Sequence, residues 1–139
     1  MATVIRPEIS TKNRYWIDKH RHYELKHFCL QYPTWKKAIS NSYVTNSSLS
    51  VVGGSFSNNR PSDPTSRLAM TKLYYSEKIE LIERIAKETD RYLYSYILKA
   101  VTEGLSYMQL KTRLGIPCGR DMYYDRYRRF FWLLSQERD

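Results

Sequence analysis

The chain has 139 residues, 42% of them hydrophobic, with a formal charge of +9 and only five glycines and five prolines. That length and apolar content suit a single domain with a buried core, and the scarcity of Gly, Pro and strand-like alternation points to an all-α fold. Two cysteines, Cys29 and Cys118, exclude a disulfide framework; no N-terminal apolar run resembles a signal peptide, and nothing approaches the roughly 20 apolar residues of a membrane span.

Residues 1–13 read as loose, with Pro7 and few apolar anchors. From about Arg14 to Leu30 a helix is expected, its apolar positions supplied by Tyr15, Ile17, Tyr23, Leu25, Phe28 and Cys29. The segment "YPTWKKAI" restarts the chain as a short second helix, since Pro33 suits a first turn and Trp35 and Ile39 are four apart. Residues 1–43 are thus an N-terminal helical hairpin, and the Ser-, Asn- and Gly-rich residues 44–62 read as a polar loop or linker.

Residues 63–139 form the second region. In "SDPTSRLAM", Asp63 is placed to cap a helix and Pro64 to occupy its first turn. A long central helix runs from there to about Glu88, with Leu68, Tyr75, Ile79, Ile82 and Ala86 on one face and Leu81 and Ile85 beside them. Thr89 or Asp90 is the expected cap of the next helix, which carries Leu93, Tyr94, Ile97, Leu98 and Val101 and ends near Gly104. Ser106 should cap a short helix with Leu110 and Leu114 inward and Gly115 as its stop.

The last thirty residues carry the motif. With Gly115 as turn glycine, Leu110, Leu114 and Ile116 match a helix-turn-helix at about 106–136, but Lys111 stands where a small residue is usual. In the final helix Tyr123, Tyr127, Phe130, Phe131 and Leu134 cluster within about 100° of arc, which implies a turn about two residues longer than standard. Asp121 then lies in the first helical turn, where the helix dipole favours a carboxylate. The outward face holds Met122, Asp125, Arg128, Arg129 and Trp132, with Tyr124 and Arg126 on its flanks. Asp125 is expected to pair with Arg128 or Arg129.

Charge agrees with this placement. Residues 1–45 carry eight Lys/Arg against three acids and residues 106–139 seven against four, while residues 76–105 carry five against six. Two basic ends around a balanced centre suit a polyanionic partner. The expected DNA contacts are Arg120, Tyr124, Arg126, Arg128 and Arg129, with Gln109, Lys111 and Arg113 on the flanking backbone.

The order of "YPTWKKAI", the polar loop, "SDPTSRLA" and "LSYMQLKTRLGIPCGRDMYYDRYRRFFWLL" resembles the late-gene transcription regulators of phages and prophages of the RinA/ArpU/Alt type. The resemblance covers most of the chain. It implies a helical protein whose C-terminal half looks like region 4 of bacterial sigma factors. Such a protein binds upstream of a phage late operon and activates it with host RNA polymerase. Ser106 to Leu114 would be the positioning helix and Arg120 to Leu134 the recognition helix; Lys111 and the Pro-Cys-Gly turn depart from the pattern.

Other signals carry less. His20, Glu24 and His27 share one helix face and His22 and Cys29 the opposite one, but His20 and His27 are about 10 Å apart along the axis, too far for one ligand set. Cys118 before a helix start has the position of a thiol with a lowered pKa, but no base accompanies it, and it reads as a small turn residue. No phosphate-cradling loop, nucleophile elbow or HExxH motif is present, so no enzyme, cofactor or metal is expected. The expected activity is sequence-specific activation of phage late transcription in the cytoplasm of the bacterial host. Double-stranded DNA and host RNA polymerase are the partners, with a homo-oligomer left open and no membrane. The alternatives are a small terminase subunit and a polymerase-binding module without its own DNA readout.

Overall fold

In a computed structural model, residues 12–41 and 64–139 are described. These residues are all-helical, with no strand among them: α1 (Lys19–Leu30), α2 (residues 32–41), α3 (Pro64–Thr89), α4 (Tyr94–Glu103), α5 (Tyr107–Gln109) running into a π-helical turn (Leu110–Leu114), and α6 (Arg120–Glu137). The expected Asp63 cap and the 44–62 linker lie outside the described residues. No helix among the described residues is long and apolar enough to cross a membrane.

The chain divides into two compact units, one made of residues up to Gln31 together with Leu81–Asp139, the other of Tyr32–Glu80. In the second unit Trp35 and Ile79 are buried, and the Lys78 ammonium lies 5.8 Å from the Trp35 ring centre and 4.5 Å from that of Tyr74. Met70, Leu73 and Tyr74 stay exposed on the N-terminal turns of α3.

The first unit holds the main core. Its centre is Leu25, Ile82, Ile85, Ile97, Leu110, Ile116, Tyr123, Phe130, Phe131 and Leu134, all essentially without solvent contact. The α6 stripe forms as its spacing requires: Tyr123, Tyr127, Phe130, Phe131 and Leu134 are its buried residues. On α1 the buried residues are His22, Leu25, Phe28 and Cys29, so the His22/Cys29 face is the inner one. His22 packs edge-on against Phe131 at 4.9 Å and near Tyr127 at 6.2 Å. Burial first, then the charge of Lys26, lowers its pKa to about 4, so it is neutral in the folded protein.

Three local expectations are corrected. Helix α1 begins at Lys19 rather than Arg14, because Asp18 caps it by accepting from the His20 N–H at 3.0 Å. Upstream, the Asn13 side chain accepts from the Tyr15 N–H at 2.8 Å and holds a turn instead. Neither Thr89 nor Asp90 caps α4 directly. The Thr89 hydroxyl donates back to the Ile85 carbonyl, while Asp90 accepts from the Tyr92 and Leu93 N–H groups and caps the turn ahead of α4.

Leu114 is the third correction: it is 42% exposed, whereas Leu110 is fully buried. Leu114 is the last residue of the π-turn, and the chain leaves the segment at Gly115 directly after it, so its side chain stands at the solvent end of the segment while Leu110, one turn earlier, lies in the core. Gly115 closes the segment at φ 64°, a left-handed conformation that favours glycine, and its N–H bonds the Lys111 carbonyl at 3.2 Å. The Ile116 N–H reaches further back, to Leu110 at 3.3 Å.

Candidate nucleic-acid interface

The site is built on two short anchors. Ser106 and Gln109 form a reciprocal capping box: the Gln109 N–H donates to Ser106 Oγ at 3.2 Å, and the Ser106 N–H to Gln109 Oε1 at 2.9 Å. The Gln109 side chain is therefore committed to starting α5. One residue on, the buried Tyr107 donates its hydroxyl to the Cys118 carbonyl at 2.7 Å and fixes the Gly115–Gly119 turn. The Arg120 guanidinium lies over the Tyr107 ring at 5.6 Å, and Tyr123 and Tyr124 complete the aromatic cluster, with centres 5.6 and 6.4 Å from Tyr107.

Of the sequence-predicted contacts, Lys111, Arg113 and Arg120 are exposed and flank this turn, together with Asp121 and Met122. Lys111 thus points to solvent. Asp121 occupies the first turn of α6, as its position in the sequence demands. Tyr124 is half-buried against its aromatic neighbours.

Arg126 is held by protein. Its Nε donates to Asp90 Oδ2 at 2.8 Å and its Nη1 to Asp125. The Asp90 side chain is only 9% exposed and that of Arg126 28%. Burial alone would raise the Asp90 pKa, but the Arg126 bond and the Leu93 and Tyr92 amides outweigh it and hold the carboxyl below its usual value. The Asp90 hydrogen bond likewise raises the Arg126 pKa. Asp125 pairs with Arg126 rather than with Arg128 or Arg129, because Arg126 is already drawn to that side by Asp90.

The C-terminal half of α6 is covered on the face expected to be outward. Tyr15 is buried, its ring centre 5.7 Å from that of Trp132, and Arg129 Nη1 donates to the Tyr15 hydroxyl at 3.3 Å. Trp132 and Arg129 are consequently half-buried; Arg128 is half-buried as well, and the Nε atoms of both arginines are buried without a hydrogen-bond partner among the described residues. Cys118 lies in the Gly115–Gly119 turn, the small turn residue its position suggested. Burial first, then the nearby Asp90 charge, raises its pKa, the opposite of an activated thiol. Among the described residues no group of three or more His, Cys, Asp or Glu is placed to hold a metal ion.

Sequence reasoning missed Asp90, Tyr15 and Tyr107 as site-forming residues. Asp90 and Arg126 are 36 positions apart, and Tyr15 and Arg129 114 apart, so no helical periodicity links them. Only the Tyr107 position, one step after a Ser106 cap, carried a local signal.

Comparison of the chain with protein-family models, curated proteins and solved structures gives no match.

Proposed function

We propose that this chain is a sequence-specific DNA-binding activator of phage late-operon transcription that acts with host RNA polymerase. The observation that carries the reading is the basic rim of the Gly115–Gly119 turn. Lys111, Arg113 and Arg120 are exposed around a turn braced by Tyr107, and α6 departs from it with its apolar stripe buried. A recognition helix meets base edges with its N-terminal residues while the preceding helix crosses the backbone. In this arrangement Arg120 and Met122 face the bases, with Asp121 beside them. Arg113 and Lys111 take flanking phosphates, and Arg126 orients the helix without touching DNA. The resemblance to the RinA/ArpU/Alt type supplies the late-operon context and the polymerase partner.

Footprinting on DNA around its own gene, with and without RNA polymerase, tests the reading. A protected site that polymerase strengthens is expected. Arg120→Ala should cost roughly 1–3 kcal/mol on that site and much less on random duplex if Arg120 reads a base. A ring-sized species by light scattering that prefers packaging-start DNA would replace the activator with a small terminase subunit. Gel shifts that stay negative at low salt beside successful polymerase capture would leave a polymerase-binding module.

A further inference from the structure

Tyr15 is buried although it precedes the first helix, and two guanidinium groups converge on it. That of Arg14, which is exposed, lies 4.7 Å from the ring centre, and that of Arg129 donates to the hydroxyl at 3.3 Å. The acids nearest in sequence are committed elsewhere, Asp18 to the α1 amide of His20 and Asp125 to Arg126. A phenol that accepts from Arg129 keeps its own proton to donate. Buried guanidinium N–H groups without an acceptor are costly, and the Nε atoms of Arg128 and Arg129 are both in that state. Cations and a hydroxyl donor, with no carboxylate among the described residues bonded to them, make a donor set for an anion with several acceptor oxygens.

We infer that the segment around Tyr15 is a second DNA-contacting element, in which Arg14, the Tyr15 hydroxyl and Arg129 take a backbone phosphodiester of the bound duplex. Arg129 stands seven residues after the exposed Met122 on the same face of α6, roughly 10 Å along its axis. That is about three steps of one strand, so a helix whose first turn enters the groove carries its later turns to the flanking backbone. The Tyr15–Trp132 contact fixes Arg14 there, and the contact is independent of base sequence.

The inference rests on the DNA-binding reading, and one titration series separates the two. Wild-type protein and the Arg14→Ala, Tyr15→Phe and Arg129→Lys variants, matched for melting temperature, are titrated into labelled duplexes. One duplex comes from around its own gene and one is random, each at several salt concentrations, with Arg113→Ala as the reference for the turn. Arg14→Ala is expected to weaken binding to both duplexes by the same several-fold factor and to lower the slope of log K against log salt by about 1. Tyr15→Phe should weaken both without changing that slope, because it removes a donor and no charge. Arg129→Lys should also weaken both, since the ammonium keeps the charge but loses the planar fork. If Arg14→Ala and Tyr15→Phe bind like wild type while Arg113→Ala is weakened, this contact is overturned and the DNA reading stands. If wild-type protein binds neither duplex, both fall.

Discussion

Replacing Asp90 tests whether Arg126 is a structural side chain. Asp90→Ala removes an acceptor from the Tyr92 and Leu93 amides, at 2.8 and 2.9 Å, and a charge-assisted bond to Arg126 Nε at 2.8 Å. Loss of such a cap costs about 1 kcal/mol. A bond to a charged group is worth about 1.5–3 kcal/mol, discounted here to about 1, because Arg126 is 28% exposed and Asp125 still holds it. The sum is about 2 kcal/mol. Asp90→Asn keeps the cap oxygen and loses only the ion pair, so about 1 kcal/mol is expected. Urea unfolding followed by tryptophan emission reads these differences; with a slope of about 2 kcal/mol per molar, Asp90→Ala shifts the midpoint by about 1 M. Arg126→Ala should lose about 1 kcal/mol of stability and bind the cognate duplex within about twofold of wild type. An Arg126→Ala protein of wild-type stability with tenfold weaker DNA binding would refute the reasoning and return Arg126 to the interface. So would an Asp90→Ala midpoint equal to wild type.

The pH dependence should carry the signature of His22. Its folded pKa is lowered to about 4, so below pH 6.5 the unfolded chain takes up a proton that the folded protein refuses. Stability is then full above pH 6.5 and falls by on the order of 2–3 kcal/mol as pH drops to about 4; His22→Phe should flatten that window in melts at stepped pH. Asp90, whose pKa is held down, adds a separate loss only as pH falls below the usual carboxylate range. Leu110→Ala should cost about 2–5 kcal/mol and Leu114→Ala less than about 0.5 in the same urea assay, and equal losses would show Leu114 to be packed as deeply as Leu110. The Tyr123 hydroxyl is buried without a partner, so Tyr123→Phe should raise stability by about 1 kcal/mol.

What could be seen in the sequence was local. Ser106, Gly104 and Gly115 announce helix ends through their own chemistry, and the α6 stripe follows from 3.6-residue spacing, so both come out as expected. The π-turn was not visible, because "LKTRL" has ordinary helical spacing, and nothing in that spacing shows that Leu114 stands at the exposed end of the segment. The candidate interface was half visible. Lys111, Arg113 and Arg120 stand beside the turn by sequence adjacency alone. The fates of Arg126 and Arg129 depend on Asp90 and Tyr15, which only the fold brings near.

The Arg21 guanidinium donates to Ser135 Oγ at 3.2 Å and to the backbone carbonyls of Ser135, Arg138 and Asp139. Arg138 in turn lies 4.3 Å over the Phe28 ring. Helix α1 is therefore completed by residues far downstream: Leu30 ends α1 and Arg120 begins α6, 90 positions later. At about 5–20 residues per second, that interval lasts roughly 5–20 s on the ribosome. During it Leu25, Phe28 and Cys29 have no α6 to cover them, and the unit closes only after the basic C-terminal helix emerges. A chain stalled before α6 would present the apolar face of α1 to chaperones and proteases, so α6 and the α1 core mature in one late step.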